Sequence, residues 1–133
     1  MIEDITKENV LGKYNTSIKD FIKNEIDEKH CASISKMPIE IVGVRFRVTL
    51  FFEESDLVRV FLVAVEKQLK EKYIGISTRE IHENWLKECF GNPNEERQCG
   101  ICYRFDNVNI SSEHDPRSGS DHIIIDYLEN RMK

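Results

Sequence analysis

Long hydrophobic runs are missing from this chain. The longest, VFLVAV at residues 60–65, is far short of the roughly 20 apolar residues that carry a helix across a bilayer. The first residues, MIEDITKENVLGKYN, have no basic stretch followed by an apolar core, so a secretory signal is not expected and the expected compartment is the cytoplasm. Only 3 prolines and 6 glycines occur, too few for a long flexible linker or a low-complexity tail. No glycine-rich phosphate loop, no Gly-x-Ser-x-Gly elbow and no His-Glu-x-x-His is present, which removes the common signatures of nucleotide, acyl and zinc-protease chemistry. A basic excess is lacking too: 19 Lys and Arg stand against 24 Asp and Glu, a net charge of −5. Nucleic-acid binding rests on neutralising phosphates, so this balance argues against it and favours a protein partner with a complementary surface.

What remains is 133 residues of ordinary soluble composition, with 40% hydrophobic and 32% charged residues, enough for one domain with a core spanning 1–133. Ile18, Phe21, Ile22 and Ile26 recur at helical spacing and predict a helix over 17–29; a further helix is read over 6–13, and CASISKMP is then a connection. IEIVGVRFRVTLFF has period two: Val44, Phe46, Val48, Leu50 and Phe52 share one face, and a bulge or bend at Gly43 reconciles them with Ile39 and Ile41. EESDLVRVFLVAVEKQLKEKY is ambiguous: its valine-rich front, residues 56–65, reads as helix or as a returning strand, and its back half VEKQLKEKY is a good helix former. The fit of Leu57, Val58, Phe61, Leu62, Val65 and Leu69 to one helical face makes helix the expectation for the stretch. STREIHENWLKECFGNP carries a capping box, Ser77 with Glu80, a stripe of Ile81, Trp85 and Cys89, and a stop at Gly91 and Pro93. GICYRF, VNISS and HIIIDYL read as strands, with Asp106-Asn107 a hairpin turn and HDPRSGSD a polar loop. The expected fold is α+β: an antiparallel sheet of about four strands with helices packed on one face.

Three constellations carry the chemistry. Cys99-Gly-Ile-Cys102 has the spacing of a metal clip or redox pair; for a zinc site the chain also offers Cys89, Cys31, His82 and His114, with Cys89 or His114 the expected further ligands. Strand alternation through Ile101, Tyr103 and Phe105 points instead to the start of a strand, where positions three apart diverge. Glu113, His114, Asp115, Arg117, Asp121 and His122 crowd the polar loop; His114, Asp115 and His122 are the residues a small hydrolase would use, and a charged binding loop is the alternative. Arg45, Arg47 and Arg59 read as a solvated face, Trp85 as core, and His82, one position off the apolar stripe, as solvent-facing.

The C-terminal part, with Trp85, Phe90-Gly91-Asn92-Pro93, Gly100-Ile101, Tyr103, Phe105 and residues 123–127, resembles small bacterial immunity proteins of polymorphic toxin systems. That resemblance implies a compact acidic α+β protein with no chemistry and no cofactor of its own, which binds and neutralises a toxin with a basic active site. The partner-binding residues expected for that role are Glu113, Asp115 and Asp121, with Tyr103 and Tyr127 as aromatic anchors. A zinc- or thiol-dependent protein built on residues 99–102 and a small hydrolase are the rival expectations.

Overall fold

The computed structural model describes residues 21–54 and 56–128. Among them the chain forms β1 (Phe21–Glu25), β2 (His30–Ser35), β3 (Ile39–Ile41), β4 (Val44–Glu53), β5 (Asp56–Ala64), α1 (Thr78–Phe90), β6 (Glu95–Arg97), β7 (Gly100–Arg104), β8 (Val108–Asp115) and β9 (Ser120–Tyr127). All nine strands belong to one antiparallel sheet in the order β1-β2-β4-β5-β9-β8-β7-β6, with β3 paired to the first residues of β4. This corrects the expected four-stranded sheet with several helices: one short α-helix is described, and the sheet is the body of the molecule. That helix is not long and apolar enough to cross a membrane.

One face of the sheet builds the core. Val44, Phe46, Val48 and Leu50 of β4 alternate into it, joined by Val60, Leu62 and Ala64 of β5, Ile123, Ile125 and Tyr127 of β9, and Ile110 of β8. Each is at most 5% exposed. Helix α1 closes this layer with Ile81, His82, Trp85 and Leu86. The Trp85 ring meets Phe46 edge-on at 4.9 Å, and its indole N–H donates to the Ile41 carbonyl at 2.9 Å. Buried indoles need such a partner, and here it ties the helix to the β3–β4 hairpin. The Ser77 hydroxyl caps α1 by accepting from Glu80 N–H at 3.1 Å, as its spacing predicts.

Where the ladder of strands ends, buried side chains continue it. The Ser35 hydroxyl accepts from Val48 N–H, Ser112 from Ile101 N–H, and the Gln68 amide bonds both backbone groups of Arg45. His82 does the same for β5: its Nε2 accepts from Ala64 N–H at 2.9 Å. Buried backbone groups must find partners, and these residues supply them past the reach of the strands.

Two predicted helices are strands instead. Of the helix read over 17–29 the described residues are 21–29: residues 21–25 pair with β2, which holds the segment CASIS read as a connection, and residues 26–29 form the turn between them; residues 6–13 lie outside the described residues. Residues 56–64 pair with β4, and residues 59–62 with β9 as well, while the back half of that predicted helix holds only the 3-10 turn Glu71–Tyr73. The helical appearance of residues 56–64 has a cause in the strand itself. Phe51 faces Arg59 and Phe52 faces Leu57, so Val58 is an extra residue that flips the side-chain parity. Leu57 and Val60 then both point to the core, and the apparent helical stripe is drawn from both faces of the strand, with Leu57 and Leu62 in the core and Phe61 half-buried on the other side. Gly43 is not the bulge: Val42 and Gly43, both at positive φ, form the tight turn between β3 and β4. The Asp106-Asn107 turn and the turn closed by Gly119 lie where the sequence puts them, but β8 and β9 run on through residues 113–115 and 120–121, beyond the strands read there, and β6 is a strand that was not expected.

Candidate functional site

The second face of the sheet carries the side chains that the core leaves out. Residues directly opposite on antiparallel strands share a face, so the register lays them out in rows. One row runs Ala32, Phe51, Arg59, Asp126, Asn109, Arg104; the next runs Ile34, Thr49, Phe61, Ile124, Ser111, Cys102 and Glu95. Arg47, Val63, Glu113 and His122 continue the same face. Its apolar members are half-buried, and they touch: Phe51 and Phe61 pack edge-on at 4.7 Å, and His122 lies 5.4 Å from the Phe61 ring. The described helix lies on the other face of the sheet.

Two hollows indent this face side by side. The first, about 340 Å³, is bordered by Phe61, Cys99, Cys102, Glu113, His122 and Ile124. The second, about 290 Å³, is bordered by Arg59, Arg97, Arg104, Asn109 and Asp126. Arg97, Cys102, Glu113 and Ile124 belong to both, so the hollows form one groove across β5, β9, β8, β7 and β6. Glu95 organises its arginines. It takes Nε and one terminal N–H of Arg97 at 2.9 Å each and a further N–H from Arg104. Those hydrogen bonds, Arg97 first, hold the Glu95 carboxyl down at about 2.

Strand alternation divides the residues picked out as one charged loop. Residues 113–115 and 120–122 are strand ends, and the turn proper is residues 116–119. Glu113 and His122 pair on the open face, whereas His114 and Asp121 pair on the helix face, with His114 Nδ1 2.8 Å from an Asp121 carboxylate oxygen. Asp115 is exposed at the turn, where the Arg117 N–H draws its carboxyl below the usual range. His114, Asp115 and His122 all border the first hollow, but the register turns the His114 imidazole to Asp121 on the helix face and His122 to the open face, so among the described residues the three are not linked as a hydrogen-bonded relay. Tyr103 and Tyr127, expected as surface anchors, lie in the core at 2% and 1% exposure, and the Tyr103 hydroxyl donates to the Gly91 carbonyl. A buried phenol cannot reach a partner without unfolding its surroundings.

None of the four cysteines is in a disulfide. Cys99 occupies the β6–β7 turn and Cys102 the open face of β7; Cys89 sits on α1. Among the described residues no three His, Cys, Asp or Glu side chains come close enough to hold a metal ion. Gly100, between the two cysteines, lets β7 lie against β8: a Cβ there would overlap the Ser112 carbonyl. The short motif at 99–102 is thus shaped by a strand start and a close backbone approach. Sequence reading missed Arg97, Arg104 and Asn109 as site residues. Their only signal is the two-residue spacing of Glu95 and Arg97 ahead of a strand.

His82, expected in solvent, is fully buried under α1. Its Nε2 accepts a hydrogen bond, so the proton of the neutral ring is on Nδ1, which has no partner among the described residues. Burial brings its pKa down from 6.5 to about 4, with Asp121 opposing and His122 adding to the shift. No known protein family, curated protein or solved structure matches this chain.

Proposed function

We propose that this is a non-enzymatic binding protein, of the immunity-protein kind, that docks on a protein partner through the open face of its sheet. The observation that carries the reading is that face itself: half-buried aromatic and aliphatic side chains in contact with one another, bordered by a charged groove, opposite the helix-covered core. A patch that mixes aromatic anchors, arginines and a polar rim has the composition of a protein–protein interface centre. Exposed Glu113 and Asp115 stand at its end and would meet basic groups of the same partner.

The test uses tagged protein to capture partners from a lysate of the cells that make it. A partner retained in stoichiometric amount by the native chain is expected to be lost with Phe61→Glu, which charges the middle of the face. It is expected to stay with Asn84→Glu, a change on the exposed side of α1. Equal retention by both variants would remove the open face as the docking surface.

A further inference from the structure

Hydrogen-bond donors outnumber their uses in the 290 Å³ part of the groove. Three strands each send a guanidinium there: Arg59 from β5, Arg97 from β6 and Arg104 from β7. A guanidinium has five N–H donors and no acceptor. Arg97 gives two of them to Glu95 and Arg104 gives one to the same carboxylate. Arg59 Nε forms an ion pair with Asp126 at 3.6 Å, too long for a hydrogen bond, and this buried N–H has no hydrogen-bond partner among the described residues. The Asn109 amide and the Ser111 hydroxyl, in the floor between them, make no hydrogen bond within the described residues.

The charges themselves sum close to zero, because Glu95, Asp126 and Glu113 stand against the three arginines. Long-range attraction is therefore weak here, and what the groove presents is directed donors held in place. Glu95 fixes two of the guanidiniums, so little side-chain freedom is lost when an acceptor arrives. A group with several acceptor oxygens in one plane, a carboxylate, fits such forks two bonds at a time.

We infer that this groove is a carboxylate-binding site that receives acidic side chains from the docked partner, between Arg59 and the Glu95-held pair Arg97 and Arg104. The inference rests on the docking reading and deepens it by naming the chemistry of the segment bound. A protein segment is favoured over a free anion by the adjoining hollow. Phe61 and Ile124 wall that hollow, so apolar contact lies next to the donors along the same path. An extended peptide that alternates acidic and aliphatic residues would use both; a lone oxyanion would use only the donors.

The experiment measures fluorescence anisotropy of labelled peptides on the native protein at low ionic strength. The probes are a Glu-Val repeat, a Lys-Val repeat of equal length, and inorganic phosphate as competitor. The Glu-Val peptide is expected to bind and the Lys-Val peptide not. Arg59→Gln and Arg104→Gln should each weaken the Glu-Val complex about tenfold, the loss expected for one charge-assisted hydrogen bond. Asn109→Asp, which puts a carboxylate in the floor, should abolish binding while circular dichroism shows an unchanged fold. Equal binding of the two peptides, unchanged affinity in the arginine variants, or displacement by phosphate at equal concentration would each overturn the inference. In the capture assay, a partner lost with Phe61→Glu but kept with both arginine variants leaves the docking face standing and removes the carboxylate site. Retention with all of them removes both.

Discussion

His82 shows how one side chain sets a property of the entire fold. It is the helix residue that takes over the end of the β5 ladder, and it can do so only as a neutral ring with an unprotonated Nε2. Its folded pKa of about 4 lies below the 6.5 of a free histidine. As pH falls below 6.5 the unfolded chain takes up the proton while the folded one resists it, so unfolding becomes easier. The contribution is fully present above the unfolded value and is lost progressively down to about pH 4. Its full size is about 3 kcal/mol, from the difference between 6.5 and about 4, and about 2 kcal/mol of it is lost by pH 5. Urea unfolding at pH 7.5 and at pH 5 should show this loss in the native chain. His82→Gln, whose amide oxygen can still accept from Ala64 N–H, should flatten the pH dependence. A variant with the native slope would assign the effect to other groups. The sequence did hold a sign of this burial. Ile81 and Trp85 are spaced by four, and so are His82 and Leu86, which makes two adjacent rows facing one core. Reading only the first row put His82 in solvent.

Elements were legible where one local signal outweighed its rivals. Helix α1 has a cap, a stripe and a stop in agreement, and it lies where they place it. The β7–β8 and β8–β9 turns have the residues that such turns require. Strand β5 is apolar on both faces, with Leu57 and Leu62 in the core and Phe61 on the open side, so its apolar residues fit a helical stripe as well as a strand, and only pairing with β4 and β9 resolves the ambiguity. The charged cluster at residues 113–122 was likewise read as one loop, whereas its strands continue through it and send alternate residues to opposite faces. At the β3–β4 turn the local chemistry is unfavourable. Val42 sits at φ 46, a conformation that its branched Cβ resists, while Gly43 at φ 82 suits its place. A two-residue turn with both φ values positive favours Asn-Gly. Val42 is 46% exposed, so little apolar burial is given up on replacing it. Val42→Asn should therefore stabilise the protein by about 0.5–1 kcal/mol, read as a rise in the thermal midpoint. A fall would mean that the Val42 side chain has a role in packing that outweighs its strain.

At the scale of the whole molecule, a single sheet makes stability uneven in a way that follows from strand order. Residues 59–62 of β5 lie between neighbours on both sides, β4 and β9, and the core side chains Val60 and Leu62 leave that strand under α1. Opening β5 requires breaking both ladders and exposing the core together, which amounts to global unfolding. Strand β6 is different: it has three residues, pairs with β7 alone in the described sheet, and its side chains are largely solvent-facing. It can open by releasing one short ladder and the Glu95–Arg97–Arg104 cluster, with no cost to the core. Such partial openings set hydrogen-exchange rates, and their free energies range from near zero to the global value. Exchange at native pH should therefore be slowest for the amides of residues 60–63 and roughly a hundredfold or more faster for residues 95–97. That gradient bears on function, because Arg97 and Glu95 belong to the groove. A partner that engages the groove would close β6 against β7, and slower exchange at residues 95–97 in its complex would follow, with little change at residues 60–63. Protection of β6 equal to β5 in the free protein would mean that a further segment already closes this edge, and the groove would then be bounded by more than the strands that now line it.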